Sequence, residues 1–279
     1  MATKNEQDFK EHVTSICLEI NSDCNRKCVY CPHSLIKRPE TTMEISILKK
    51  ILRELEKIRY NGWICLNNYN EPLLHYPFLL TVMAEIKKSL PDSKINFSTN
   101  GDFLTKDILE ELSAHGLAKL TVTCHQNTYS REKAEKLVKN MLHTLEIKNA
   151  PLTVKKNSVV SKVHYTSGGG TIPLRIFSSN FLINGQNRAN SLKNIVTLPA
   201  SYKRNKACLR PVTQAVISYD GSVYPCCMFF HGIAEKKYLL GNCATDSLFD
   251  IYAHPLSAHF KKMGALAIPF ESPCAECTD

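Results

Sequence analysis

"NSDCNRKCVYCPHS", residues 21–34, sets Cys24, Cys28 and Cys31 within eight residues, with Tyr30 directly before the last thiol. The stretch follows the short apolar run "SICLEI" (15–20). It precedes "TTMEISILKKILRELEKIRY" (41–60), where Ile45, Leu48, Ile51, Leu52, Leu55 and Ile58 recur at helical spacing. Thiols crowded between a strand and a helix call for a disulfide, a metal or a redox group. A chain of 279 residues buries a core without covalent staples. Its start, "MATKNEQDFK", lacks the apolar segment of a secretory signal. No apolar run approaches the roughly 18 residues of a membrane span. The expectation is a soluble, cytoplasmic protein, and in a reducing compartment twelve cysteines indicate metal or redox chemistry. Zinc commonly takes four ligands. The nearest fourth candidate here, His33, is too close in sequence to complete a tetrahedron.

Outward from this stretch, apolar runs alternate with helix-period segments. Strands are predicted at 15–20, 62–67, 94–99, 118–124, 151–157 and 173–179. Helices are predicted at 41–60, with Thr41 and Glu44 as a capping box, and at 76–90, 106–116 and 130–146; the third of these four closes on Gly116. Alternation of this kind implies βαβ units and a parallel sheet with right-handed crossovers. Six such strands make an incomplete barrel or an open α/β sheet. After about residue 190 helices thin out, and six of the twelve cysteines fall in the last 72 residues. "AVISYDGSVYPCC" there reads as a hairpin turning at Asp220-Gly221. The predicted division is residues 1–195 and 196–279.

The formal charge of +9 suits an anionic substrate or partner, but Lys and Arg are spread along amphipathic stretches, as on solvated helix faces. Neither a nucleic-acid nor a membrane partner is expected.

Three thiolates on one loop suit a [4Fe–4S] cube with one iron left open. The C-x3-C-x2-C spacing after the first strand, with an aromatic before the third Cys, resembles the signature of the radical S-adenosylmethionine (radical SAM) superfamily. The resemblance implies a partial (β/α)6 TIM-like barrel and reductive cleavage of S-adenosylmethionine to a 5′-deoxyadenosyl radical that takes hydrogen from a C–H bond. It makes Cys24, Cys28 and Cys31 the cluster ligands. It also places Asn70, Glu71, Ser98, Asn100 and Asn157, with Tyr30, against the bound cofactor. Asn70 departs from the Gly of the family's Gly-Gly-Glu-Pro-like segment.

The tail resembles the SPASM/twitch modules of the same enzymes: Cys208-x17-Cys226, the Asp-Gly turn, "LGNCATDSLFDIY", and "PCAEC" with Cys274 and Cys277. The shorter, twitch-like count implies one auxiliary [4Fe–4S] cluster on Cys208, Cys226, Cys274 and Cys277, with Cys227 as a substitute for Cys226. Cys17 and Cys65 read as core, and Cys243 has no assignment. Cys124, at the end of a strand, is a candidate hydrogen-atom donor or a buried strand-end residue. Arg188 is a candidate for the substrate cavity; His125, His164 and His231 read as surface or satisfied polar groups.

The implied function is oxidation of a natural-product or sugar-like substrate, with a flavodoxin- or ferredoxin-type electron donor. Its alternatives are a redox-neutral epimerase with Cys124 or Cys227 as hydrogen donor, an enzyme crosslinking peptides, and a zinc-stabilised binding module.

Overall fold

A computed structural model describes residues 2–195, 201–234, 236–266 and 270–278. Its elements are α1 (Lys4–His12), β1 (Ser15–Leu18), α2 (Ile45–Lys57), β2 (Trp63–Cys65), α3 (Tyr76–Ser89), β3 (Lys94–Thr99), α4 (Lys106–Ala114), β4 (Leu117–Thr123), α5 (Arg131–Thr144), β5 (Thr153–Lys155), β6 (Ser158–Ser167), β7 (Gly170–Ser179), α6 (Phe181–Asn184), α7 (Arg210–Thr213), β8 (Gln214–Ile217), β9 (Ser222–Tyr224), β10 (Gly241–Asn242), α8 (Leu248–Ala253) and α9 (Pro255–Leu266). No helix among them is long and apolar enough to cross a membrane.

One sheet runs β10-β9-β8-β1-β2-β3-β4-β7-β6-β5. Six neighbouring strands, β8, β1, β2, β3, β4 and β7, are parallel. The expected partial barrel is therefore present, but its membership differs from the sequence reading. The predicted strand at 151–157 is only β5, an edge strand antiparallel to β6. The sixth parallel strand is β8, which pairs with β1 from the far end of the chain. Helix α1 and strand β6 were not anticipated.

Strand parity divides the sheet. Ile16, Leu18, Ile64, Ile95, Phe97, Leu120, Val122 and Ile176 bury against the helices in one continuous core, while the alternate positions Cys17, Glu19, Cys65, Ser98, Lys119 and Arg175 lie on the opposite face. Helix α2 presents Leu48, Ile51, Leu52 and Leu55 to that core. The capping box at Thr41 is not formed. The helix starts later, at Ile45 behind Glu44, because residues 41–42 are held as extended chain by the Asn21–Thr42 bridge and the bond from the Thr41 amide to Ser22 Oγ.

The hairpin is as expected: β8 and β9 join at Asp220-Gly221, where Gly221 has φ 85° and a side chain would meet Asn242. The predicted boundary at 195/196 borders residues 196–200, which lie outside the described residues. Leu240, Cys243, Leu248 and Phe249 share the main core, and a second small core forms around Cys226, Met228, Phe229, Phe260, Met263 and Cys277.

Candidate active site

The loop after β1 carries Cys24, Cys28 and Cys31 at the C-terminal ends of the parallel strands, where barrel enzymes place their chemistry. The Cys31 amide donates to the Cys28 carbonyl at 2.9 Å, and the Arg26 amide to Cys24 Sγ at 3.4 Å. Arg26 clamps the loop to Asp102 after β3, Nε to Oδ2 at 2.7 Å, and this bond holds the Asp102 carboxyl below its usual range. Burial pushes the Cys24 thiol up to about 11, so a bound cation is needed to displace its proton.

Among the described residues no three His, Cys, Asp or Glu side chains converge on a single metal ion. A cube instead sets each thiolate on a different iron, and a three-thiol loop fits that group.

Asn100, at the end of β3, donates from Nδ2 to Asn25 Oδ1 at 2.7 Å and lies 3.9 Å from Cys24 Sγ. Glu71 is 2% exposed. Its Oε1 accepts from Thr99 Oγ1 (2.7 Å) and the Leu73 amide (3.1 Å), and its Oε2 accepts from the Asn100 amide (2.7 Å). Glu71 thus caps the 3₁₀ turn at Pro72–His75 and ties it to β3. Asn70 Nδ2 donates to Asn21 Oδ1 at 2.6 Å, and the Ser98 amide donates to Asn67 Oδ1 at 2.8 Å. Tyr30 pairs with His125 Nδ1 at 3.0 Å and stacks on Phe181 at 4.8 Å, so His125 is a satisfied polar group. Asn157 lies in the β5–β6 turn, and its carbonyl receives the Asn180 amide and Ser179 Oγ.

Removing the Glu71 carboxylate strands three donors. Each buried unsatisfied group costs roughly 1–3 kcal/mol. Glu71→Ala is expected to lower unfolding stability by about 3 kcal/mol or more and to weaken S-adenosylmethionine binding as Asn100 is released. Melting curves and ligand titration on one sample check this. Lost affinity at an unchanged melting temperature would return Glu71 to the direct ligand contact implied by the sequence.

Cys124 does not face the cavity. Its parity matches Leu120 and Val122, and its thiol points to the Leu137 carbonyl of α5 at 3.8 Å. The Arg188 guanidinium lies 5.6 Å from the Tyr69 ring centre and 3.8 Å from Met228 Sδ.

Cys208, Cys226, Cys274 and Cys277 line one cavity, walled by Met228, Phe229, Phe260 and Met263. Cys227 is absent from its lining and receives Arg210 at 3.3 Å. Burial pushes the Cys274 thiol up to about 12, reinforced by Cys277 and Cys208. Four thiols in an apolar shell fit a fully thiolate-ligated cube.

One group escaped the sequence reading. Arg38 grips Glu19 through Nη1 and Nη2, at 2.9 and 3.0 Å. Glu19 also accepts from the Tyr69 amide at 3.1 Å and Ser218 Oγ at 2.9 Å. Arg38 lies 4.6 Å from the Phe230 ring centre. This buried pair ties β1, the loop after β2, β8 and the C-terminal module together. Its only sequence signal is a charged residue inside the apolar run "SICLEI".

The sequence model of the radical SAM superfamily matches residues 18–168, and that of an iron-sulfur cluster-binding domain matches residues 208–278. The S-adenosyl-L-methionine-dependent 2-deoxy-scyllo-inosamine dehydrogenase of Niallia circulans is 29% identical over 247 residues, covering 88% of this chain and 84% of that one. The tungsten-containing aldehyde ferredoxin oxidoreductase cofactor-modifying protein of Pyrococcus furiosus is 26% identical over 286 aligned positions, covering 84% and 79%. The crystal structure of BtrN in complex with AdoMet and 2-DOIA superposes with a TM-score of 0.70 at 25% identity, covering 96% of this chain and 93% of that one.

Proposed function

The chain belongs to the radical SAM superfamily, and from that premise we propose that it removes two electrons from an alcohol carbon of a sugar-like small molecule. It carries a [4Fe–4S] cluster with S-adenosylmethionine and an auxiliary iron–sulfur cluster. When bound, the first supplies a 5′-deoxyadenosyl radical and the second a one-electron acceptor. In this reading Cys24, Cys28 and Cys31 hold the first cluster, and Cys208, Cys226, Cys274 and Cys277 the second. Residues 1–195 then supply five of the six parallel strands of the barrel, and 196–279 add the sixth, β8, together with the auxiliary module. Glu71 and Asn70 shape the cofactor loop, and Asn100 and Ser98 border it. Tyr30 and Phe181 wall the site against water. Arg188 bridges the loop after β2, at Tyr69, and the C-terminal module, at Met228. The electron donor is a flavodoxin- or ferredoxin-type protein.

The observation that carries oxidation is that four cysteines together line one cavity. Four thiolates leave no iron for substrate, so the group they hold suits electron transfer alone. The dehydrogenase activity of the Niallia circulans relative agrees. An epimerase needs a thiol facing the substrate; of the two candidates, Cys124 faces α5 and Cys227 Sγ accepts from Arg210.

The test supplies reduced enzyme and S-adenosylmethionine in D2O with a panel of cyclic polyols and their phosphates. The expected product is two hydrogens lighter than its substrate and carries no solvent deuterium. A product of unchanged composition with one deuterium at the reacting carbon would overturn oxidation in favour of epimerisation.

A further inference from the structure

The uncovered face of the sheet gathers four cations that are scattered in the sequence. Register places them together: Lys162 stands opposite Arg175, Arg175 beside Thr121, and Lys155 opposite Ser158. Directly paired residues share a face and alternate positions repeat it, so Lys119, Arg175, Lys162 and Lys155 point the same way. Their immediate neighbours Leu120, Leu174 and Ile176 are in the helix-covered core, and Val163 packs against it.

Two adjoining open cavities, about 380 and 430 Å³, share Lys162 and Arg175; one adds Lys155, the other Lys119 and His164. No carboxylate lines either cavity. Among the described residues none of the four cations forms an ion pair. Arg175 lies 4.0 Å over the Phe177 ring, and its Nε is buried without a partner. Like charges held side by side without a counter-charge repel, and an anion relieves them.

A line of aromatic rings runs from beside Arg175 toward the cysteine loop. Phe177 lies 6.1 Å from Phe181, which stacks at 4.8 Å on Tyr30 of the cysteine loop. An anionic group over Arg175 and Lys162 can therefore belong to a molecule whose carbon skeleton extends toward that loop.

We propose that this groove binds the phosphate of the substrate, so that the alcohol oxidised is that of a phosphorylated sugar-like molecule; this rests on the oxidation reading above. A guanidinium fork binds a phosphate through two parallel bonds, and ammonium groups beside it match the second charge. Four cations exceed what one carboxylate would neutralise.

The test titrates inorganic pyrophosphate into the reconstituted full-length chain by calorimetry at low ionic strength. Saturable binding is expected, weakened at least ten-fold by Lys162→Gln and by Arg175→Gln, weakened by added salt, and unchanged by Lys139→Gln on α5. Absence of saturable binding, equal binding by the groove variants, or tighter binding of citrate or polyglutamate would overturn the proposal. The two readings fail separately. Oxidation of an unphosphorylated polyol by a wild-type chain that ignores pyrophosphate removes the phosphate site alone. Groove-dependent pyrophosphate binding with no alcohol of the panel oxidised removes the oxidation reading alone.

Discussion

Replacing Cys24, Cys28 and Cys31 together by Ala is expected to abolish cleavage of S-adenosylmethionine and to lower bound iron from about eight to about four atoms per chain. The loop is shaped by contacts that survive the change, since Arg26 and Asn25 both reach Asp102 and the Cys31 amide bonds a backbone carbonyl. The main core does not include these thiols. The variant therefore stays folded, as circular dichroism will check, and its loss is chemical. A triple variant that still forms 5′-deoxyadenosine would remove these residues from the ligand set.

Replacing Cys274 and Cys277 by Ala has the opposite profile: S-adenosylmethionine is still consumed, oxidised product is not formed, and iron falls by about half. The barrel cysteines are unaltered, and the main core excludes the auxiliary cavity, whose thiols pack with Met228, Phe229, Phe260 and Met263. Local unfolding there is a real competitor, because a metal site supplies folding energy. Met228→Leu, which keeps the four thiols and the apolar wall, separates the two and is expected to retain oxidation. Product formation at wild-type rate by the double variant would show that these thiols have no part in the second electron transfer.

The sequence disclosed what depends on local pattern. Helices α2 to α5 and strands β1 to β4 follow from apolar periodicity, the turn at Asp220-Gly221 from its dipeptide, and the three-thiol loop from its spacing. What stayed hidden is non-local or a matter of parity. Nothing in "QAVI" announces that β8 pairs with β1, about two hundred residues earlier. The ribbon β5-β6-β7 sits where βαβ alternation breaks, so its first strand was assigned to the barrel. Cys124 falls at the active end of β4, yet one residue of parity turns it to α5. Glu71 was legible as important, while its three donors come from two separate segments. The cations of the groove looked like dispersed surface charge because Lys119, Lys155, Lys162 and Arg175 meet only through strand register.

The most direct measurement of the central claim follows hydrogen itself. The alcohol oxidised in the polyol panel is prepared with deuterium at each carbon in turn and given to the reduced wild-type enzyme for a single turnover. The prediction is that one position, the carbon that becomes the carbonyl, passes its deuterium to 5′-deoxyadenosine, with one oxidised product per labelled 5′-deoxyadenosine. Oxidised product formed with every 5′-deoxyadenosine unlabelled, or labelled 5′-deoxyadenosine beside a product that has regained hydrogen from water, would contradict it.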